Sequence, residues 1–252
     1  MAMVAYDFRA PRLFVEAALA QGGALTLDQA PANYLCNVLR LAEGDAVLVF
    51  NGRDGEWRAS IARVAKRRVD LRIEEKTRAQ EAACDLHYLF APLKHARLDY
   101  MVQKAVELGV SRLVPVMTRH VQVARVNLDR MRANAIEAAE QCGVIVLPEI
   151  APLVALDRAL ADIGSERVLV FCDEDAEMQD PVAALAARRE ANSRPPLAVL
   201  IGPEGGFAPE ERTLLLRRPN VVRLALGPRI LRADTAAVAA LTLVQSVLGD
   251  WR

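Results

Sequence analysis

The 252-residue sequence predicts an α/β protein in two parts, a small β-barrel over residues 1–75 and a mostly parallel α/β domain over residues 76–252. Two observations predict it. Up to residue 75 the apolar runs are short and divided by turn dipeptides, whereas from Cys84 onward strand-like and helix-like patterns alternate. The rhythm changes at the charged stretch 74–81 (EEKTRAQE), which reads as the boundary.

In the first part, residues 32–41 (ANYLCNVLRL) predict a short helix that ends before Glu43-Gly44-Asp45. Residues 46–50 (AVLVF) form a strand. Asn51-Gly52 and Asp54-Gly55 then mark a hairpin into a strand over 56–64, followed by another over 69–73. Short strands at this spacing suggest a small barrel. In the second part, residues 86–91 (LHYLFA) read as a strand. Leu98, Met101, Val102, Ala105 and Val106 recur at helical spacing and Gly109 closes that helix. Residues 113–116 form the next strand, and Asn127 and Gly143 are placed to cap a helix running through Cys142. Strands over 168–171, 197–201 and 221–226 follow, with helices between them. The last helix, 234–248, is nearly all apolar. The alternation implies a parallel sheet covered on both faces.

Composition narrows the function classes. Lys+Arg 32 against Asp+Glu 32 gives no net charge, which excludes a polycationic nucleic-acid binder. Only Lys66, Lys76, Lys94 and Lys104 are lysine, so 28 of the 32 basic residues are arginine. Arginine grips phosphate bidentately, although the alanine richness of the chain also fits a codon-biased genome. The apolar runs fall short of the ~18 residues of a membrane span, so no membrane association is expected. Cys36, Cys84, Cys142 and Cys172 form no CxxC pair, and three histidines cannot complete a zinc cluster in sequence. Buried free thiols, no metal and a reducing cytoplasm are the expectation; the opening MAMVAYDFRAPRLFV lacks a signal-peptide pattern.

Two segments at predicted strand ends carry the chemistry. In LIGPEGGF (200–207), Gly202, Gly205 and Gly206 let a ligand approach the backbone, and Pro209 is placed to start a helix. Neither a phosphate loop ending in Gly-Lys-Ser/Thr nor GxGxxG is present, which disfavours a conventional nucleotide-binding enzyme. In LGPRILRADTA (226–236), Gly227-Pro228 breaks the strand, Arg229 and Arg232 lie three apart, and Asp234 or Thr235 can cap the last helix. On composition alone these arginines read as surface ion pairs.

Taken together, IGPEGGF and LGPRILRADTA strongly resemble the SPOUT methyltransferases, and within them the 16S ribosomal RNA uridine-N3 methyltransferases (RsmE family). The resemblance extends to FRAPRLFV (8–15), NVLRLAEGDAVLVFNGRDGEW (37–57), LDYMVQKAVELGVSRLVPV (98–116) and EAAEQCG with LPEI (137–150). It implies a PUA-like barrel followed by a SPOUT domain whose C-terminal half ties a deep trefoil knot. It also implies S-adenosyl-L-methionine as cofactor, held by Leu200, Ile201, Gly202, Glu204, Gly205, Gly206, Leu226, Gly227, Ile230 and Leu231. Arg232, then Arg229, would stabilise charge on the uracil oxygens, with Asp234 and Glu204 the candidate general bases. RNA would meet Arg9, Arg12, Arg40, Arg63, Arg67 and Arg68, in a homodimer acting on 16S rRNA of the 30S subunit. The chain departs from the family at Ala233-Asp234, Val144, Asn33-Tyr34 and His120; these changes read as touching RNA contacts more than cofactor loops. Methylation of ribose 2′-O or another base, or a knotted RNA-binding protein without catalysis, are the alternatives.

Overall fold

The computed structural model describes residues 10–177, 180–189 and 194–251, which form two compact units. The first holds the described residues up to Ala82 together with Ala139–Leu147. The second holds Ala83–Ala138 and the described residues from Pro148 onward.

The first unit contains β1 (Arg12–Phe14), β2 (Ala24–Asp28), α1 (Gln29–Asn33), β3 (Ala46–Phe50), β4 (Glu56–Ala65) and β5 (Arg68–Arg78). The five strands are ordered β1-β3-β4-β5-β2, with β1 parallel to β3 and the other pairs antiparallel. Period-two patterning sends Trp57, Ala59 and Ile61 of β4, and Val69, Leu71 and Ile73 of β5, into one core with Leu35 and Val47. The helix expected over 32–41 is displaced: α1 begins at Gln29 and runs into a single π-helical turn, Tyr34–Val38. The chain then turns at Arg40, whose φ of 59° ends any helix before Leu41. The charged stretch from residue 74 is also mostly strand, because β5 continues to Arg78. Lys76 lies over the Trp57 ring, and the Thr77 hydroxyl donates to the Glu56 carboxylate at 2.9 Å. Its charges decorate the end of a strand face, and this part of the first unit closes just beyond it at Ala82.

The second unit begins with β6 (Leu86–Phe90), α2 (His95–Glu107), β7 (Arg112–Met117) and α3 (Leu128–Cys142), the last of which ends in the first unit. It continues with β8 (Glu149–Ile150), β9 (Val154–Ala155), α4 (Leu156–Asp162), β10 (Val168–Cys172), α5 (Pro181–Ala186) and β11 (Leu197–Ile201). The chain closes through α6 (Pro209–Leu216), β12 (Val221–Leu224) and α7 (Ala233–Val247). The sheet order is β12-β10-β11-β6-β7-β8, with β9 also on β7, and every pairing in it is parallel. Leu197–Ile201 falls where the sequence places it. Asn127 Oδ1 accepts the Arg130 N–H at 2.9 Å, and Gly143 turns the end of α3 at φ 66°. The four cysteines are free, but Cys142 is exposed where burial was expected.

Near the end of α7, Gln245 is wholly buried. Its Nε2 donates to the Leu108 carbonyl at 2.6 Å and its Oε1 accepts the Asp250 N–H at 3.1 Å. A Cβ on Gly109 would stand 2.7 Å from that Nε2, and one on Gly249 would overlap Oε1. Among the described residues, no helix is long and apolar enough to cross a membrane.

Candidate active site

In a parallel sheet, ligands bind beyond the carboxyl ends of the strands. Here the ends of β12, β10 and β11 lie side by side, and the loops leaving them enclose a cavity of about 360 Å³. That volume suits a small organic ligand. Residues 172–176 line it after β10, Ile201–Glu204 with Gly206 and Phe207 after β11, residues 224–231 after β12, and Ala233 and Ala236 from α7. Among the described residues, the N–H groups of Gly202, Leu226 and Gly227 have no acceptor within the protein. Backbone donors facing a cavity call for a ligand or water to accept from them.

Local sterics explain the glycines. A Cβ on Gly202 would stand 2.5 Å from the Phe207 ring, so only hydrogen fits while that ring packs edge-on to Phe171. Gly206 adopts φ 68°, and a Cβ there would stand 2.6 Å from Glu174 Oε1. Gly205 does not line the cavity; it lies against His120, whose Nδ1 is 3.0 Å from the Gly205 carbonyl oxygen. His120, read as an RNA-side departure, therefore braces the glycine loop.

Three clusters set the electrostatics. In the loop after β10, Asp173 is buried and accepts from Arg212 Nη2 and from Arg223 Nε, each at 2.9 Å. At the start of α7, Asp234 accepts from Arg97 Nη2 at 2.9 Å and from Arg97 Nε at 3.2 Å. Arg97 Nη1 also donates to Glu204, so one guanidinium of α2 ties the glycine loop to the first turn of α7. Hydrogen bonds from Arg97 hold both carboxyls below the usual carboxylate range, and burial only partly opposes this. The third cluster is free. Among the described residues, the side chains of Arg229 and Arg232 have no ion pair or hydrogen bond, and both are exposed. Beside them Ile230 is 93% exposed on the cavity rim.

The structure thus gathers Ile201, Gly202, Glu204, Gly206, Leu226, Gly227, Arg229, Ile230 and Leu231 around one cavity, with Arg232 and Asp234 adjoining it in the chain. Leu200 is a correction: it is fully buried in β11 and packs in the core with Leu89 and Phe171, because neighbouring strand side chains point to opposite faces. Asp234 is a second, since Arg232 takes the N-cap position of α7 and Asp234 lies inside the first turn, engaged by Arg97. A carboxylate so held is a poor base. Sequence reading missed Arg97, Asp173 and Arg212. The strand-end rule applied to 168–171 would have found Asp173, whereas Arg97 acts from 107 and 137 residues away and left no local signal.

In the first unit, Arg40, Arg63, Arg67 and Arg68 are exposed, and Arg68 pairs with Asp28 at 3.1 Å. Arg67 and Arg68 join Lys66, Asn33 and Asn37 around a second cavity of about 730 Å³. Arg12 is corrected: it is 6% exposed and its Nε bonds Glu56 at 3.0 Å, so it supports the core and offers nothing to RNA. Arg9 lies outside the described residues.

Known proteins share this architecture. A family model described as an RNA methyltransferase domain matches residues 80–245, and one described as an RNA methyltransferase PUA domain matches residues 27–74. Over 235 residues the chain is 28% identical to the ribosomal RNA small subunit methyltransferase E of Rickettsia conorii, covering 93% of this chain and 94% of that one. The fold is similar to the crystal structure of a ribosomal RNA small subunit methyltransferase E from Neisseria gonorrhoeae bound to S-adenosyl methionine, with a TM-score of 0.85, 26% identity and coverage of 97% and 100%. A protein from Legionella pneumophila, solved in complex with SAM, matches with a TM-score of 0.81 and 30% identity, covering 96% and 99%. The chain belongs to the RNA methyltransferase family, with a PUA domain ahead of its methyltransferase domain.

Proposed function

We propose that the protein transfers a methyl group from S-adenosyl-L-methionine to N3 of a uridine in 16S rRNA of the small ribosomal subunit. The observation that carries this reading is the cavity at three parallel strand ends, with backbone donors free among the described residues, Arg229 in its lining and Arg232 adjoining that lining in the chain. The residues fit the cofactor. Gly202, Leu226 and Gly227 N–H groups suit an adenine, the apolar walls suit its ring, and exposed Glu174 and Asp175 suit the sulfonium and α-ammonium charges. The cofactor brings an electrophilic methyl group on sulfonium sulfur.

The remaining chemistry belongs to the chain. Uridine N3–H is a weakly acidic imide whose deprotonation puts charge on O2 and O4. A guanidinium at either oxygen stabilises that anion and keeps its own charge throughout. Arg232 takes this role and Arg229 assists. Asp234 and Glu204 are both engaged by Arg97, so the imide proton leaves to solvent, N3 forms the bond to the methyl carbon and the sulfur–carbon bond breaks.

In this reading residues 1–75 form a PUA-like barrel and residues 76–252 a SPOUT domain with a deep trefoil knot. The basic side chains at 40, 63, 66, 67 and 68 contact rRNA phosphates. A homodimer forms on the uncharged face of α7 that includes Val238, Thr242 and Leu243, in the cytoplasm where small subunits assemble. The test is methyl transfer to undermethylated 30S particles and to naked 16S rRNA, read by nucleoside mass spectrometry. N3-methyluridine is expected; a 2′-O-methyl nucleoside or no product would overturn the reading.

A further inference from the structure

The Arg97 bridge has a role beyond holding two loops together. Glu204 and Asp234 both face one guanidinium, so their carboxylates lie within a few ångströms of each other. Arg232 immediately precedes the first turn of α7, two residues before Asp234. Among the described residues its side chain has no ion pair or hydrogen bond, and its charge already lowers the Glu204 pKa. Two adjacent carboxylates without a partner would draw such an arginine to themselves. With Arg97 in place, both are already satisfied.

We infer that Arg97 is a positioning residue that occupies Glu204 and Asp234 and thereby keeps Arg232 free for the nucleotide. The inference rests on the proposed role of Arg232. It separates Arg97 from a plain loop brace, because a brace acts through shape and a decoy acts through charge. Removing Arg97 exposes the decoy carboxylates; removing a carboxylate as well should return Arg232 to the substrate. A brace is already lost in the first change, so the second would relieve repulsion between the carboxylates without restoring kcat.

The experiment measures kcat, KM for 30S particles and cofactor affinity by calorimetry for Arg97→Ala, Glu204→Gln, Asp234→Asn and the two doubles. Arg97→Gln, closer in volume, accompanies them in case the alanine variant folds poorly. Arg97→Ala should lower kcat about 10- to 100-fold with cofactor affinity within about threefold, and a double should recover at least about fivefold over it. No loss in Arg97→Ala and Arg97→Gln would overturn the inference. So would a loss that neither double relieves, or a loss confined to cofactor binding. Arg232→Ala run alongside separates the layers. If it leaves kcat unchanged the role of Arg232 fails, whereas a large loss there without rescue at Arg97 fails this inference alone.

Discussion

In the loop after β10, Asp173 is buried and held by Arg212 and Arg223; in the loop after β12, Arg229 and Arg232 are exposed beside an isoleucine open to solvent and have no side-chain partner among the described residues. Both loops line the same cavity and both involve arginine, from α6 and β12 at the first and from within the loop at the second, yet their charges are used in opposite ways. In the first loop the buried carboxylate is already held by two arginines of neighbouring elements before any ligand arrives. The second keeps its charge unsatisfied, which suits a group that must meet an anion formed during reaction. A preorganised half and a receptive half are what methyl transfer to a weak acid asks of a small cleft.

This contrast can be broken from either side. The largest effect belongs to the free arginines: Arg232→Ala should lower kcat by about 10²–10³-fold, as for loss of an oxyanion donor, with cofactor affinity little changed. Single-turnover methylation with calorimetry reads both, and unchanged turnover would place Arg232 with ordinary surface residues. Next comes the neutralised loop. Asp173→Ala should destabilise the fold by about 2–3 kcal/mol in urea, toward the low end for a broken buried pair because its partners reach solvent. The cofactor should then bind more weakly while Arg232 is untouched.

Gly202→Ala should cost about 1–2 kcal/mol of cofactor binding, since the added methyl displaces the Phe207 ring at the cavity wall. Calorimetry should show roughly a tenfold weaker Kd. The smallest effect concerns pH. The Arg97 bridge holds the Asp234 and Glu204 pKa values down, so its contribution is fully present above the unfolded carboxyl pKa of about 4 and is lost as pH falls through the folded values. Because Glu204 is largely exposed, solvent screening keeps the contribution small. Urea unfolding of wild type and Asp234→Asn from neutral to acid pH should converge at the acid end; parallel curves would remove the bridge from the stability account.

The fold was legible where one pattern dominated. The wholly buried strand 197–201 and the Asn127 cap were readable because burial and capping are local properties of a few residues. That residues 74–78 are strand was not readable, because a charged strand face shows no apolar alternation while its partner strand is unseen. Leu200 was assigned to the cofactor along with its loop, although one step of strand pleat separates it from Ile201. The glycines and both free arginines could be found from motif and resemblance. The Arg97 bridge could not, since it exists only after α2, the glycine loop and α7 have come together.

Gln245 imposes a bookkeeping of a different kind, on lineage. Its amide fills the space that any side chain at Gly109 or Gly249 would need, and it fastens the Leu108 carbonyl and the Asp250 N–H. The three positions therefore cannot drift independently. Descendants that keep the glutamine must keep both glycines, and shortening residue 245 alone frees neither, because its Cα would still lie 2.7 Å from a Cβ at 249 and Gly109 sits at φ 77°. The end of the last helix thus tolerates change only where the backbone itself is rebuilt, which makes it a conservative corner of a chain otherwise free to vary at its surface.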